Sequence, residues 1–367
     1  MLPIKWWLLP MILVVVHLFS LNAQVLPPEY ICYQVKDEII IDGELDEQSW
    51  EDANWTDDFQ DIEGDLKPKP PFRTRVKMLW DEHYFYFAAE LEEPHIWATI
   101  QERDAVMFHN DDFEIFLDPD GDGILYLEYE MNANNAVWDL LMLTPYRART
   151  GLPHYVQSWD IRGLQSAVKI KGTLNDPSDL DTSWIIEIAM PWKDLVEVKR
   201  GPKPPEDKEQ WRVNFSRVDW WMEIENGNYQ KQKNAQSGKI PKNPQENWVW
   251  SPTGKVDIHL PELWGYVQFS TGIVGTEGVS FIKDEWFQIR QKLMRWYFAQ
   301  YDFLKNYQHF SNTIENLSNE YLDLESLGIN PKLISTPGGF VFEIPHPSNP
   351  AKKLCINHEG RFWVTAN

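Results

Sequence analysis

The chain has 367 residues, 43% of them hydrophobic, which is long enough for about two domains with a sizeable core. Its 56 acidic residues outnumber its 34 basic residues and give a formal net charge of −22 at pH 7. A surface this acidic repels nucleic acid and anionic membranes, so neither is expected as a partner.

The first 23 residues predict a secretory signal peptide. Lys5 is followed by a mainly apolar run over residues 6–19, and the small residue Ala23 ends the segment. The run is too short for a membrane span, and no later segment reaches about 18 uninterrupted apolar residues. We therefore expect cleavage near Ala23 and a secreted, periplasmic or cell-surface protein without a membrane span.

Residues 24–270 have the pattern of an antiparallel β-sandwich. Residues 39–41 predict a strand that ends at the Asp42-Gly43 turn, and residues 44–53 predict a helical turn. Apolar residues then alternate with polar ones, as they do in strands that cover a core with one face. The strands predicted in this way are 74–80, 84–91, 113–117, 125–131, 136–143, 167–172, 184–190, 211–218 and 263–269. Many short strands separated by turn signals are typical of a sandwich.

A different pattern begins after Ser270. Residues 271–283 are rich in glycine and predict a linker. Residues 284–327 place apolar side chains at alternating steps of three and four, which predicts either one long helix or two helices with a break near Ser311-Asn312. A small terminal β-sheet is predicted at 340–344, 353–356 and 362–364. The segment 284–327 is also a candidate surface for a protein partner.

Two cysteines, Cys32 and Cys355, lie near opposite ends of the chain. In an oxidising compartment they could form a disulfide that joins the two ends. The alternative is two buried free thiols, and the sequence leaves both states open.

The stretch Asp118-Pro-Asp120-Gly-Asp122-Gly123 has the oxygen spacing of a calcium-binding loop. Carboxylates stand at alternate positions, and glycine permits the tight turn. An EF-hand would need a bidentate acid where this chain has Tyr129. Calcium bound by Asp118, Asp120 and Asp122 is therefore one expectation, and an acidic hairpin turn without metal is the alternative.

The two strands that flank this turn carry acidic residues on the face opposite their apolar residues. If the strands pair through the turn, Asp112 and Glu114 meet Glu128, Glu130 and Asn132 across one sheet surface. Like charges so placed cost stability unless a cation or a hydroxyl-rich ligand lies between them. The face is therefore either a hydrogen-bonding surface for sugar hydroxyls or a solvated acidic face.

Tryptophan is concentrated in the predicted sandwich, which holds 14 of the 19 in the chain. Exposed indole rings can cover the C–H face of a pyranose, but most tryptophans of a sandwich belong to its core. Trp220 and Trp221 are adjacent on a predicted strand and point to opposite faces, so both cannot be core. The tryptophans whose context predicts core are Trp50, Trp80, Trp184 and Trp211.

Five stretches of the sequence form a recognisable set: Ile41-Asp-Gly-Glu-Leu-Asp46, Trp50, Trp80-Asp81, residues 110–122 and Trp248-Val-Trp-Ser-Pro252. Together they resemble family 9 carbohydrate-binding modules, especially the secreted form of Bacteroidetes-type bacteria, over residues 30–270. The resemblance implies a β-sandwich related to the DOMON-like superfamily, structural calcium, and frequent association with glycoside hydrolases. It also implies a reducing-end sugar clamped between two tryptophans, with charged and amide side chains on its hydroxyls. The aromatic residue before the acidic strand is Phe108 rather than tryptophan, which leaves reducing-end recognition open.

The expected function is non-catalytic binding of an oligo- or polysaccharide of cello or xylo type, in support of carbohydrate catabolism. The stacking partner of Phe108 in such a clamp is one of four tryptophans of the second half of the sandwich. The candidate binding residues are Phe108, Asn110, Asp111, Glu114, Glu128, Asn132, Trp138, Arg217, Trp220, Trp221, Trp248 and Trp250.

Two other functions remain open at this stage. A glycoside hydrolase would need a pair of carboxyl groups about 5 Å or about 6.5–9.5 Å apart, such as Glu114 with Glu128 or Glu187. A DOMON-like domain with non-covalently bound haem would need axial ligands. The candidates for these are Met131, Met142, His154 and His109.

Overall fold

The computed structural model describes residues 26–149, 151–234, 237–241, 244–276, 278–320, 324 and 327–365. The predicted signal peptide, residues 1–23, lies outside this part of the chain. Within the described residues, no helix combines the length and apolar character that a membrane span requires.

The strands follow the alternating pattern of the sequence. In chain order they are β1 (Glu29–Gln34), β2 (Gln60–Asp61), β3 (Thr74–Trp80), β4 (Tyr84–Glu92), β5 (Asp112–Asp118), β6 (Tyr126–Asn132), β7 (Val137–Met142), β8 (Tyr155–Val156), β9 (Gln165–Lys171), β10 (Ser183–Pro191), β11 (Gln210–Trp220), β12 (Met222–Glu225), β13 (Asn228–Lys231), β14 (Gln245–Val249), β15 (Gly265–Ile273), β16 (Lys332–Thr336), β17 (Gly339–His346), β18 (Asn349–Asn357) and β19 (Phe362–Val364). The helices are α1 (Gln48–Asp52), α2 (Val196–Lys199), α3 (Phe287–Tyr307) and α4 (Ile314–Glu320).

The main sheet has the order β8-β7-β6-β5-β11-β15-β1-β3-β4-β10-β9, and β14 pairs with both β11 and β2. This sheet folds over on itself, because core residues of β5, β6 and β11 share one apolar cluster with those of β3, β4 and β10. Phe87 of β4 meets Phe215 of β11 across the interface, with ring centroids 6.0 Å apart. The predicted β-sandwich is confirmed.

The four tryptophans expected in the core are there. Trp50, Trp80, Trp184 and Trp211 are each at most 2% exposed. Rings from both halves pack edge to face, as aromatic rings prefer. Trp211, for example, lies 5.8 Å from Trp192 at an interplanar angle of 83°.

Three details of the sandwich differ from the sequence-based prediction. Strand β1 runs parallel to β15 and to β3, so the sheet is not purely antiparallel. Residues 39–41 form no strand. Their apolar pattern reflects burial of Ile39 in a cluster with Trp50 on the outer side of the sheet, rather than pairing in a ladder. Strand β15 also continues to Ile273, into the predicted linker.

The Asp42-Gly43 turn and Trp50 donate hydrogen bonds to one buried carboxylate, that of Glu187 on β10. Glu187 is fully buried and accepts hydrogen bonds from Trp50 Nε1 at 2.8 Å and from the amides of Asp42 and Gly43 at 3.0 Å. Gly43 has φ +88°, and a Cβ there would lie 3.0 Å from the amide nitrogen of Lys169. Glycine is therefore required for this close approach.

Burial raises the pKa of Glu187 from 4.5 to about 7, although its three donors and the nearby Glu47 also act on it. The folded protein thus holds this proton at a pH where the unfolded chain has released it. The contribution of Glu187 to stability is full below about pH 4.5, falls as pH rises to about 7, and is constant above that. We expect the difference in unfolding free energy between wild type and Glu187→Gln to shrink over this range. Urea titrations at several pH values measure it, and a difference that grows with pH would contradict the assignment.

The C-terminal region forms its own apolar cluster, in which α3 packs on the small sheet β16-β17-β18-β19. Trp296 of α3 lies 5.9 Å from Phe342, ring centroid to ring centroid. The helix ends at Tyr307, because Gln308 adopts a left-handed φ of 63°. The Ser311 amide then donates to Gln300 Oε1 at 2.8 Å, so the chain folds back before α4. The alternative of two helices is correct, as is the small terminal sheet.

The cysteines do not pair. Cys32 lies in the sandwich core and Cys355 in the terminal sheet, and both are buried free thiols. The disulfide alternative is therefore wrong for this structure.

Candidate functional site

Strands β5 and β6 pair through the Asp118–Gly123 turn, as predicted, and bring their acidic residues together on one face. Asp112 pairs in register with Asn132, and Glu114 with Glu130. Glu128, opposite Phe116, belongs to the next row of the same face. We call Asp112, Glu114, Glu128 and Glu130 the acidic face.

The acidic face is covered rather than solvated. Its four carboxylate residues are at most 6% exposed. Residues 97–110, here called the covering loop, lie over it, and the fully buried Met107 packs there with Trp138 and Trp264. The Phe108 amide also donates to Glu130 Oε2 at 3.1 Å. The alternative of a solvated acidic surface is therefore wrong.

Asn110 and Asn132 hold the covering loop in place. Asn110 Oδ1 accepts hydrogen bonds from the amides of Thr99 and Ile100 at 2.7 and 2.8 Å. Asn132 Nδ2 donates to Ile100 O at 2.9 Å, and its Oδ1 accepts from the amides of Asn134 and Ala136. The side-chain amides of Asn110 and Asn132 are buried, and their hydrogen bonds are made within the protein. They therefore position the backbone of the covering loop and are not available to bind sugar hydroxyls.

The electrostatics of the acidic face follow from this burial. Desolvation raises the pKa of Glu114 to about 7 and, together with the charge of Glu114, that of Glu128 to about 8. Burial and mutual repulsion raise the pKa values of Asp112 and Glu130 well above their ordinary range. One oxygen each of Asp112 and Glu128 is buried without a hydrogen-bond partner.

No cation from the protein neutralises this cluster within the described residues. Among the described residues, the basic side chain in ion-pair contact with the face is His259, whose Nε2 lies 3.8 Å from Glu128 Oε1. Burial, together with the charge of Arg147, lowers the pKa of His259 to about 3, so the imidazole is neutral. Its Nδ1 forms a 2.8 Å hydrogen bond with the Tyr126 hydroxyl.

Arg217 is not available to a ligand, which corrects its assignment as a sugar-binding residue. It is 1% exposed, and its guanidinium pairs with Glu93 and with Asp219 Oδ1, the latter at 3.0 Å. It also donates to Glu92 O at 2.7 Å. Asp111, 6% exposed, lies beside this cluster and accepts a hydrogen bond from the Trp220 amide at 2.7 Å.

Three of the predicted stacking residues are buried. Trp248 and Trp250 are 2% exposed and belong to the sandwich core, and Trp138 is 6% exposed beneath the covering loop. Trp248 and Trp250 were predicted as stacking residues, but β14 pairs with β11 and turns these rings inward. None of the three can stack on a ligand at the surface.

The Asp118–Gly123 turn brings its three carboxylates together, with one oxygen from each within 4.8 Å of the others. Asp118 accepts hydrogen bonds from the amides of Gly121 and Gly123 at 3.1 and 2.9 Å. Arg200 lies 2.8 Å from Asp120 Oδ2, and Arg200 and Arg361 each lie 3.0 Å from Asp122 Oδ2. Calcium at this turn stays a prediction, and an ion there would compete with both guanidinium groups.

The exposed aromatic residues of the predicted set lie at one end of the covering loop. Phe108 and Trp221 are each 40% exposed, and Trp220 is partly exposed. Trp220 Nε1 donates to Phe108 O at 2.9 Å, which ties the end of β11 to the loop. Trp221 instead donates to Glu246 Oε1 at 2.9 Å.

A groove of about 460 Å³ is lined by His109, whose ring lies 5.0 Å from that of Phe108, and by Lys231, which lies over the Trp220 ring. We call it the aromatic groove, and its lining includes Trp97, His109, Tyr229, Lys231 and Ile240. Lys231 Nζ lies 3.1 Å from the centroid of the Trp220 ring and donates to His109 O at 2.6 Å. Burial lowers the pKa of Lys231 to about 8.

Sequence reasoning missed this groove. Tyr229 and Lys231 belong to the β12–β13 hairpin, which lies in a stretch that reads as a very polar loop. The Asn226-Gly227 pair between two short alternating runs is the hairpin signal that could have identified it.

Comparison with protein families matches residues 41–208 to the model described as carbohydrate family 9 binding domain-like. The resemblance to family 9 is confirmed. The matched segment contains β2 to β10 and the covering loop, and it ends just before β11. The C-terminal helical region lies outside it.

Solved structures similar to this chain include family 9 modules. One from Caldicellulosiruptor kristjanssonii in complex with cellotriose is 15% identical, covers 70% of this chain and 100% of its own, with a TM-score of 0.42. The same organism's module with glucose is 16% identical, with coverages of 68% and 99% and a TM-score of 0.40. A Bacteroides uniformis ATCC 8492 protein, assigned provisionally to carbohydrate binding, is 13% identical, with coverages of 66% and 99% and a TM-score of 0.47. No curated protein matches the chain.

Proposed function

We propose that this protein is a non-catalytic carbohydrate-binding protein whose ligand lies in the aromatic groove, against Phe108 and Trp220. The observation that carries the proposal is an open groove with aromatic and amine side chains, on a chain whose residues 41–208 match the family 9 domain. Aromatic faces cover the C–H side of a pyranose, and amines donate to its hydroxyls.

Lys231 has a definite part in this binding mode. Its ammonium group lies over the Trp220 ring, where a stacked pyranose would lie. A sugar that stacks there must move the ammonium group aside, and the group can then donate to a ring hydroxyl. A neutral ligand suits the net charge of −22, because no anion has to approach an acidic surface.

The ligand class that we propose is a cello- or xylo-type oligosaccharide, or the end of such a polysaccharide, bound outside the cell after secretion. A role beside glycoside hydrolases in polysaccharide degradation follows from this. Calorimetry with cellobiose, xylobiose and their alditols separates recognition of the reducing end from recognition of internal units.

We predict that Trp220→Ala weakens oligosaccharide binding by about 10-fold, which corresponds to the loss of one stacking contact of about 1.4 kcal/mol. The matched control is Trp55→Ala, because the Trp55 ring also carries cations, with Arg75 at 4.2 Å and Lys77 at 4.6 Å from its centroid. Isothermal titration calorimetry measures both variants.

An equal loss in the two variants, or none in either, would contradict the assignment of the groove. Loss in Trp221→Ala alone would move the platform to the side of the strand where Trp221 contacts Glu246. If no sugar of a broad panel binds the wild type, the function itself is wrong.

Nothing in the described residues favours the two alternative functions. Glu187 lies on β10, where it accepts a hydrogen bond from Trp50 of α1. Glu114 and Glu128 lie beneath the covering loop, where a glycosidic bond cannot reach them. Met131 lies in the sandwich core, where its sulfur accepts a hydrogen bond from Tyr129 at 3.4 Å, so it is unsuited to ligate haem.

A further inference from the structure

The aromatic groove differs in charge from the chain as a whole. Three of the described residues that line it are basic, namely His109, Lys231 and Lys233, and the described lining contains no aspartate or glutamate. In the whole chain, by contrast, 56 acidic residues outnumber 34 basic ones. Exposed charges more than about 8 Å apart are largely screened at about 0.15 M salt. The charge of a ligand in the groove is therefore selected mainly by the side chains that line it.

The sequence around β13 shows the same bias. Residues 226–245 contain four lysines and no acidic residue, whereas a segment of this length would contain about three acidic residues at the average frequency of the chain. In the β12–β13 hairpin, Glu223 and Glu225 lie on the face opposite Tyr229 and Lys231, because side chains alternate along paired strands. The hairpin thus contributes lysine, and not its glutamates, to the groove.

Among the described residues, Lys231 has no carboxylate partner in an ion pair. Its Nζ lies 3.1 Å from the ring centroid of Trp220 and 5.7 Å from that of Trp97. Its hydrogen bond goes to a neutral acceptor, His109 O, at 2.6 Å. Burial lowers the pKa of Lys231 to about 8 in spite of the charge of Asp111, so the ammonium form prevails at pH 7. A ligand with a carboxylate would supply the missing partner.

We propose that the aromatic groove binds a sugar unit that carries a carboxylate, a uronate of the glycan. This inference rests on the proposed function, because it concerns the ligand of the same groove. The pyranose ring of the uronate stacks on Trp220, and its equatorial C5 carboxylate extends from the edge of the ring toward Lys231 and Lys233. Lys231 has to leave the ring face for any stacked sugar, and here it moves to a group of opposite charge. A hydrogen bond that is charged on both sides is stronger than one to a hydroxyl, so it offsets more of that displacement.

The net charge of −22 is compatible with this ligand class. Repulsion from the whole surface lowers the rate at which an acidic glycan approaches. The contacts inside the groove determine mainly how slowly the glycan leaves, and most differences in affinity between related complexes arise in that step. An acidic unit can therefore bind more tightly than a neutral one even on this surface.

The test compares xylotriose substituted with one glucuronic acid unit with the same compound after its carboxyl group has been reduced to the alcohol. The two compounds differ only in that group, so the ratio of their affinities, here called the acid preference, isolates its recognition. We expect calorimetry with the full chain at about 50 mM salt to give an acid preference of about 10-fold, which falls to about 3-fold or less at about 0.5 M salt.

The variants for this test change one residue each. Lys231→Gln and Lys233→Gln are expected to lower the acid preference about threefold or more. The matched control, Lys332→Gln, removes the same charge from β16 of the terminal sheet, where the side chain is 70% exposed, and is expected to leave the preference unchanged. Trp220→Ala is expected to weaken binding of both compounds, because both lose the stacking contact.

The outcomes separate this inference from the proposed function. If the two compounds bind equally, or the reduced one binds more tightly, the inference is wrong and the carbohydrate-binding function stands. If neither compound binds and no neutral sugar does, the proposed function is wrong as well. An acid preference that persists in both lysine variants would place the carboxylate outside the groove. Tighter binding of a xylotriose that carries sulfate in place of the glucuronic acid would also overturn the inference, because another anion would then be the ligand.

Discussion

Replacing Arg217 with methionine is expected to destabilise the protein by about 3–5 kcal/mol, the usual effect of removing one partner from a buried ion pair. Arg217 is 1% exposed and lies between Glu93 and Asp219. Without it, these carboxylates and the neighbouring Asp111 share a site with no positive charge. Glu93 already has its pKa raised to about 8, mainly by burial.

Arg75→Met is the matched control for this prediction. Arg75 also pairs with a glutamate, Glu90 at 2.7 Å, and also lies over a tryptophan, Trp55 at 4.2 Å. The pair is partly solvated, with side-chain exposures of 24% and 18%, so its removal is expected to cost about 1 kcal/mol or less. Arg217 lies 4.9 Å from the Trp248 ring, and burial is therefore the main difference.

Urea unfolding followed by tryptophan fluorescence measures both variants. A second variant, Arg217→Met with Glu93→Gln, is expected to recover part of the loss, because it removes one of the carboxylates left without a partner. Equal destabilisation by Arg217→Met and Arg75→Met would show that the buried network contributes no more than a surface pair.

The fold could be predicted from the sequence, because a strand that buries one face alternates apolar and polar residues with a period of two. The alternation over 113–117 and 125–131 predicted both the pairing of β5 with β6 and which side chains share a face. The same reasoning was wrong for residues 39–41. An apolar run of three indicates burial but does not say whether the neighbour is a strand or, as here, the segment around Trp50.

The candidate site was harder to predict from the sequence, because the exposure of a strand's side chains depends on which segment packs over them. Period-two patterning placed Glu114 and Glu128 correctly on the face opposite the core, yet the covering loop buries them. That loop is held by side-chain amides, such as Asn110, whose hydrogen bonds to Thr99 and Ile100 have no sequence period. Trp248 and Trp250 were predicted to stack on a sugar, but the pairing of β14 with β11 buries their rings, and no pattern in the sequence showed that pairing.

Replacing Trp50 with alanine is the second change expected to have a large effect, with a loss of about 3–5 kcal/mol. The Trp50 ring is fully buried among Ile39, Leu79 and Tyr86, so alanine would leave a cavity there. It would also remove the 2.8 Å hydrogen bond to Glu187, which is buried on the outer side of the sheet.

Trp50→Phe separates the two contributions. Phenylalanine keeps most of the apolar volume but cannot donate to Glu187, so we expect a loss of about 1–3 kcal/mol, the cost of a buried acceptor that loses its donor. Trp55→Ala is the control for loss of an indole at a partly exposed position, with an expected effect of about 1 kcal/mol or less.

Chemical denaturation at pH 7 measures the three variants, and a repeat at about pH 5 tests the role of Glu187. The penalty of Trp50→Phe is expected to be smaller at the lower pH, because a protonated Glu187 depends less on the indole donor than the carboxylate does. A penalty that does not change with pH would mean that Trp50 stabilises the sandwich through ring packing alone. In that case the turn at Gly43, rather than the indole, would be the principal partner of Glu187.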